Sequence, residues 1–218
     1  RVWVFEGCEG LEKDSAEYVT GVGPEMWTHF DDFIFRRLPQ YDIKVYLMMV
    51  GAKHMHDCSS PSPFDDQRAR DALYDNAVLP FVARYAQSPW VWGIDLMNEP
   101  EGGIAGPTGN WFTGTSWANA RSFLSEGASA VKAIAPQLYV SSGSGWHQHD
   151  NVAAGRFSGL GFSHLDWHAY NNDGTLPTYE SLQRHARVLI GEMGQFSSAN
   201  DPALQARVVA RMFTEAAA

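Results

Sequence analysis

Six short apolar runs recur along the chain, and between most of them the hydrophobic period changes from strand-like to helical. The runs are Arg1-Val2-Trp3-Val4-Phe5 before Gly7, Ile43 to Val50 before Gly51, Val91 to Met97 before Pro100, Leu138 to Ser141 before Gly143, Leu165 to Ala169, and Val188 to Ile190 before Gly191. β-Branched and aromatic residues bounded by Gly or Pro read as strands. Runs that are apolar on both faces are expected of parallel strands covered by helices, not of a half-solvated antiparallel sheet. Between them, Met26, Phe30, Ile34 and Leu38 recur every fourth residue, with Pro39 following the last. Leu73, Ala77, Phe81 and Tyr85 repeat that pattern, with a kink expected at Pro80, which lacks a backbone donor. Phe123, Gly127, Val131 and Ile134 form a third stripe ending at Pro136. Asp201 is the expected N-cap of a last helix with Pro202 at its first position and Leu204, Val208 and Met212 facing inward.

Strand–helix alternation of this kind predicts an α/β fold with a parallel sheet, either open and doubly wound or closed as a (β/α)8 barrel. No glycine-rich phosphate loop follows a strand, which weakens the doubly wound, nucleotide-binding version. Carboxylate-rich segments follow several strands instead, as in barrels whose chemistry is spread over many strand ends. The expected fold is therefore a (β/α)8 TIM barrel in a single domain, residues 1–218. It is incomplete, with strands 2 to 7 recognisable and the first and last strands not seen. The chain begins at Arg1 with no initiator Met or leader-like segment and reads as processed or trimmed.

Composition narrows the partners. With 16 basic and 25 acidic residues, a formal charge of −9 and no Lys/Arg block, neither nucleic acid nor an anionic membrane is an expected partner. No run approaches the ~20 apolar residues of a membrane span. Cys8 and Cys58 follow neighbouring strands, so one bridge or two free thiols are both open. A bridge would point to an oxidising, secreted or extracellular location.

Two segments carry the chemistry. Val91 to Met97 delivers Asn98-Glu99-Pro100 at a strand end, and Pro100 biases Glu99 to an extended backbone. Val188 to Ile190 delivers Gly191-Glu192-Met193-Gly194 at another. Two carboxylates at one rim can face each other across a pocket, the arrangement that glycoside hydrolysis needs. The bland alternative, helix capping or ion pairing, accounts for one such Glu better than for two.

Asn98-Glu99-Pro100 and Gly191-Glu192 resemble the fourth- and seventh-strand signatures of clan A retaining glycosidases, most closely glycoside hydrolase family 5 with its β-mannanases and cellulases. Arg1-Val2-Trp3-Val4-Phe5 resembles that family's second strand, and Asp166-Trp167-His168-Ala169-Tyr170 its sixth. The resemblance implies hydrolysis of a β-1,4-linked polysaccharide or oligosaccharide, mannan or glucan, by a two-glutamate double displacement without metal or cofactor. It implies Glu99 as acid/base, Glu192 as nucleophile and Asn98 on the sugar 2-OH. His168 would then lie near Glu99, Tyr170 near Glu192, and Arg1 would hold the nucleophile ionised. It also implies a first strand before Arg1 and a Trp after an eighth strand. Further chain segments or another copy would have to complete the barrel.

Aromatic platforms suit sugar ring faces. Trp146 and His147, after the fifth strand, are the candidate sugar contacts, and Trp111 and Trp117 are lesser ones. Trp3, Trp27, Trp90 and Trp92 are expected in the core. Two further readings compete. The pairs His54/His56 and His147/His149 have metal-ligand spacing, as in amidohydrolase-type barrels. Lys132, the lysine such a site would need, lies on a helical stripe. A non-catalytic carbohydrate-binding relative is the other, against which the retained pair of acids argues.

Overall fold

The computed structural model describes residues 1–106, 114–145, 151–176, 187–195 and 201–217. Eight strands are described: β1 (Val2–Phe5), β2 (Leu11–Lys13), β3 (Val19–Val22), β4 (Val45–Gly51), β5 (Val91–Asn98), β6 (Tyr139–Ser144), β7 (Leu165–Tyr170) and β8 (Val188–Gly194). Six form one sheet in the order β1-β4-β5-β6-β7-β8, with every neighbouring pair parallel. Several strands run past the stops expected at glycine. β6 continues through Gly143 and β8 through Gly191, because Gly143 pairs with Asp166 and Glu192 with His168. Pairing across the ladder, not glycine punctuation, ends a parallel strand. β2 and β3 make a small antiparallel hairpin that the pattern did not predict, its two runs being too short to show alternation.

The sheet curls strongly. From the β1 edge, the Arg1 side chain reaches Asp95 on β5 and Glu192 on β8, the opposite edge. β1 and β8 do not pair among the described residues, so the barrel is not closed there.

Seven α-helical pieces are described: α1 (Pro24–Asp32), α2 (Leu38–Tyr41), α3 (Met55–Cys58), α4 (Gln67–Leu73), α5 (Leu79–Tyr85), α6 (Trp117–Ile134) and α7 (Pro202–Ala216). Neither Pro39 nor Pro80 stops its helix. The wide turns Phe33–Arg37 and Tyr74–Val78 precede them, with Leu38 N–H donating to Phe33 O and Leu79 N–H to Tyr74 O. That five-residue bond lets a helix pass a residue with no N–H of its own. α6 is capped by the Ser116 side chain and α7 by Asp201, each accepting from a backbone N–H three residues on.

Leu47, Met49, Leu96, Val140 and Trp167 join one apolar core under the helices. Phe81 lies at its centre, edge-on to Phe5 and Phe30, and truncating it to Ala should cost about 3–5 kcal/mol. The opposite strand face is polar yet buried: Asp95, Ser141, Asp166 and His168 are each no more than 1% exposed. Two expectations for the core fail. Trp3 is 39% exposed because β1 is an edge strand, and Ile134 is 42% exposed as the last residue of α6. Cys8 and Cys58 are bridged, Cα to Cα 4.9 Å, joining the segments that follow β1 and β4. The bridge joins residues 50 apart in sequence, and closing such a loop contributes about 4 kcal/mol in the chain-entropy account.

Candidate active site

β7 is the spine of the site. Alternate residues of a strand share a face, so His164, just before it, and Asp166, His168 and Tyr170 within it form one inward column. A one-residue register shift then aims the neighbouring acid. Trp167 pairs with Ile190 and His168 with Glu192, leaving Gly191 as the extra residue of β8. In an unshifted ladder Gly191 would oppose His168 and Glu192 would point out; the shift turns Glu192 inward. The Gly191 N–H donates to Asp166 Oδ1 at 2.9 Å, and a side chain at 191 would collide with that carboxylate.

β5 uses the same device. Asp95 pairs with Ser141 and Asn98 with Gly143, so three steps on β5 match two on β6. Asp95 and Asn98 therefore face the same interior despite their odd spacing. Arg1 joins them: Nε donates to Asp95 Oδ2 at 3.0 Å and Nη2 to Asn98 Oδ1 at 2.7 Å, while Nη1 donates to Glu192 Oε1. The Arg1 side chain is 8% exposed, so it is not a frayed terminus. Burial works against its charge, but Asp95, Glu192 and Asp166 outweigh burial and hold its pKa above the ordinary arginine value.

Glu99 departs from the extended backbone expected before a proline, with φ 49° and ψ 63° in the left-handed region. Its N–H donates to Gly143 O at 2.8 Å and its carbonyl accepts from Gly102 N–H at 2.9 Å. These two bonds hold a conformation that costs of order 1–3 kcal/mol for a residue with a side chain. The turn swings the carboxyl over Gly145, where any side chain would strike it. Glu99 Oε1 lies 3.0 Å from His168 Nδ1, and the Tyr170 hydroxyl donates to Glu192 Oε2 at 2.9 Å. Burial raises the Glu99 pKa, opposed by Arg1. Burial lowers that of His168 to about 4, so its ring is neutral near pH 7.

Glu99, His168 and Glu192 each offer an atom within 4.8 Å of the others, the one such trio of ligand-type atoms among the described residues. Both Glu192 oxygens and His168 Nδ1 already have partners, and a cation there would meet the fixed charge of Arg1. The competing metal reading finds no assembled pair at His54 and His56: His54 Nδ1 pairs with Asp57 Oδ2 at 2.9 Å, and His56 is exposed. Lys132 donates to Gly161 O on the surface. Trp117 begins α6 and packs edge-on against Phe157, 5.9 Å between centroids, so it braces the scaffold. Trp146, His147, His149 and Trp111 lie outside the described residues.

The interior thus brings together Arg1, Asn98, Glu99, His168, Tyr170 and Glu192. It adds three acids that sequence reading did not single out. Asp95 and Asp166 stand mid-strand in apolar runs, a placement rare for a carboxylate without a partner. That was the available signal. Burial raises both of their pKa values; the Asp95 charge pushes Asp166 up further, and Arg1 opposes both shifts. Glu101, fully buried two residues after Glu99, carried no such signal, because it lies in a loop.

No protein-family model matches the chain, and no curated protein matches its sequence. Solved structures do match. The β-1,4-mannanase of the common sea hare Aplysia kurodai aligns over 88% of this chain and 67% of its own, with 20% identity and a TM-score of 0.71. The β-mannanase of the blue mussel Mytilus edulis aligns over 99% and 79%, with 15% identity and a TM-score of 0.73. The catalytic domain of the major endoglucanase of Xanthomonas campestris pv. campestris aligns over 89% and 64%, with 22% identity and a TM-score of 0.55. At these identities the likeness speaks for architecture: the chain has six strands of the (β/α)8 barrel found in these glycoside hydrolases.

Proposed function

We propose that this chain carries the active site of a retaining glycoside hydrolase that cleaves β-1,4-linked mannan or glucan. The observation that carries the reading is the approach of Glu99 and Glu192 carboxylate oxygens to within 4.8 Å at the barrel mouth. Retaining glycosidases keep their carboxyl groups ~5–5.5 Å apart, whereas inverting ones leave ~6.5–9.5 Å for a water. In the first step a Glu192 oxygen attacks the anomeric carbon. The bond to the leaving sugar breaks, and the Glu99 proton passes to the leaving oxygen. In the second step water gives a proton to Glu99 and attacks the same carbon, releasing Glu192. Asn98, held by Arg1, is set to bond the sugar 2-OH. The raised Glu99 pKa suits a group that must arrive protonated.

The Cys8–Cys58 bridge supports secretion into an oxidising environment, and no described helix is long and apolar enough to cross a membrane. The test is reducing-end release from a panel of β-mannans, β-glucans and xylan, with the product anomer followed by NMR. Retention on mannan or glucan is expected; inversion, or no release from any β-glycan, would falsify the reading.

A further inference from the structure

A carboxyl group fully removed from water calls for a reason, and Glu101 has no role in the two-step chemistry. Residue 101 is 0% exposed, in the short turn Pro100–Gly103. Its Oε1 accepts from the Ser144 hydroxyl and from Asn151 Nδ2, the latter at 3.1 Å, while its Oε2 has no partner among the described residues. An apolar residue would fill that space without the desolvation cost of a carboxyl. What the carboxyl adds is a tie between three chain segments. Ser144 ends β6 and precedes Gly145, the residue against which the Glu99 side chain rests. Glu99 N–H bonds Gly143 O at 2.8 Å. The stretch 143–145 is thus gripped twice by the Glu99 turn, once through backbone and once through Glu101.

We infer that Glu101 is a positioning residue for Glu99: its buried carboxyl ties the Glu99 turn to the end of β6 and to Asn151, and so holds the Glu99 carboxyl over Gly145 and beside His168. Burial pushes the Glu101 pKa up to about 7, with Ser144 and Asn151 opposing it. Both protonation states keep Oε1 as the acceptor. The inference rests on Glu99 being the acid/base.

The test uses Glu101→Ala, Glu101→Gln and Glu99→Ala with aryl β-glycosides of graded leaving group. Their kcat/KM reports bond cleavage. Small misplacement of a reacting group costs up to about 100-fold. Glu101→Ala should lower kcat/KM about 10-fold or more for poor leaving groups and far less for activated ones, echoing Glu99→Ala in weaker form. Glu101→Gln keeps the Oε1 acceptor and should recover most of the loss. A Glu101→Ala protein with wild-type leaving-group dependence, whatever its melting temperature, overturns the inference, as does equal loss in the Ala and Gln variants. If Glu99→Ala itself shows no leaving-group dependence, the acid/base reading fails instead. A crystal structure of Glu101→Ala then judges the tie: Glu99 displaced from Gly145 and His168 upholds it, and Glu99 unmoved overturns it.

Discussion

The two ends of the barrel interior each hold a buried histidine on the same strand column, and they have little else in common. His164, at the floor, lies among rings: Trp92 at 5.5 Å, Tyr46 at 5.8 Å and Tyr139 at 6.3 Å between centroids. Trp92 stacks on Tyr139 at 4.8 Å and meets Tyr46 edge-on at 5.4 Å. Among the described residues His164 makes one side-chain hydrogen bond, between Nε2 and the Tyr46 hydroxyl at 3.4 Å. His168, at the mouth, lies among Glu99, Glu192 and Asp166, with ion-pair distances of 3.0, 3.6 and 4.0 Å. Burial lowers both pKa values to about 4. A perturbed histidine is therefore no signature of chemistry by itself; the neighbouring groups decide what the same perturbation is used for. At the floor it accompanies packing, and at the mouth it supplies a neutral ring beside two carboxyls.

The strongest test of that contrast separates activity from stability. Glu192→Ala at the mouth should reduce turnover to background. Glu99→Ala should cost about 100- to 10,000-fold on poor leaving groups. Trp92→Ala at the floor should leave kcat within a few-fold while lowering stability by about 2–4 kcal/mol, read by urea unfolding. Equal activity losses at both ends would break the comparison. Prolonged dialysis against a chelator should leave the rate unchanged; loss of activity restored by Zn²⁺ would move the chemistry to a metal.

pH sharpens it next. A histidine whose folded pKa falls from 6.5 to about 4 binds fewer protons than in the unfolded chain across that window. Its contribution is present above pH 6.5 and is lost as pH falls towards 4, up to about 3 kcal/mol. Glu101, raised from 4.5 to about 7, runs the other way, with stability present below pH 4.5 and lost as pH rises through 7. Between pH 4.5 and 6.5 the slopes of His164 and His168 run against those of Glu101 and Asp166, so each is read from its own variant. His164→Gln should therefore gain on wild type as pH falls from 6.5 to 4.5. Glu101→Gln should gain as pH rises from 4.5 to 7. Melting temperatures across this range check both signs.

Two smaller effects concern the backbone at the mouth. Gly191→Ala should push Asp166 aside and lower kcat about 10-fold with little change in KM, since the loss acts through positioning. At residue 99 the usual order of Ala and Gly should invert. Positive φ favours glycine, so Glu99→Gly should be about 1 kcal/mol more stable than Glu99→Ala by denaturant unfolding.

Much of this architecture was legible in the linear pattern because parallel strands buried on both faces leave unbroken apolar runs such as Val45 to Val50. The two acids at strand ends were legible because Asn98-Glu99-Pro100 and Gly191-Glu192 interrupt such runs abruptly. The hairpin at β2 and β3 was not, since three or four residues per strand show no period. The extended Glu99 was a sound local expectation that the bonds to Gly143 and Gly102 override.

By itself, the sequence determined the parallel α/β layout, the six core strands and the residue types delivered to their ends, because burial periodicity and strand punctuation are local properties. Only the tertiary structure decided which way those residues face. One extra residue on β8 and one on β5 reverse the parity of Glu192 and Asn98, and the pairing partners that flank each shift lie 23 and 24 residues away on β7 and 46 and 45 residues away on β6. The curl that carries Arg1 from one sheet edge to Glu192 at the other is likewise a property of the whole sheet, and no local window contains it.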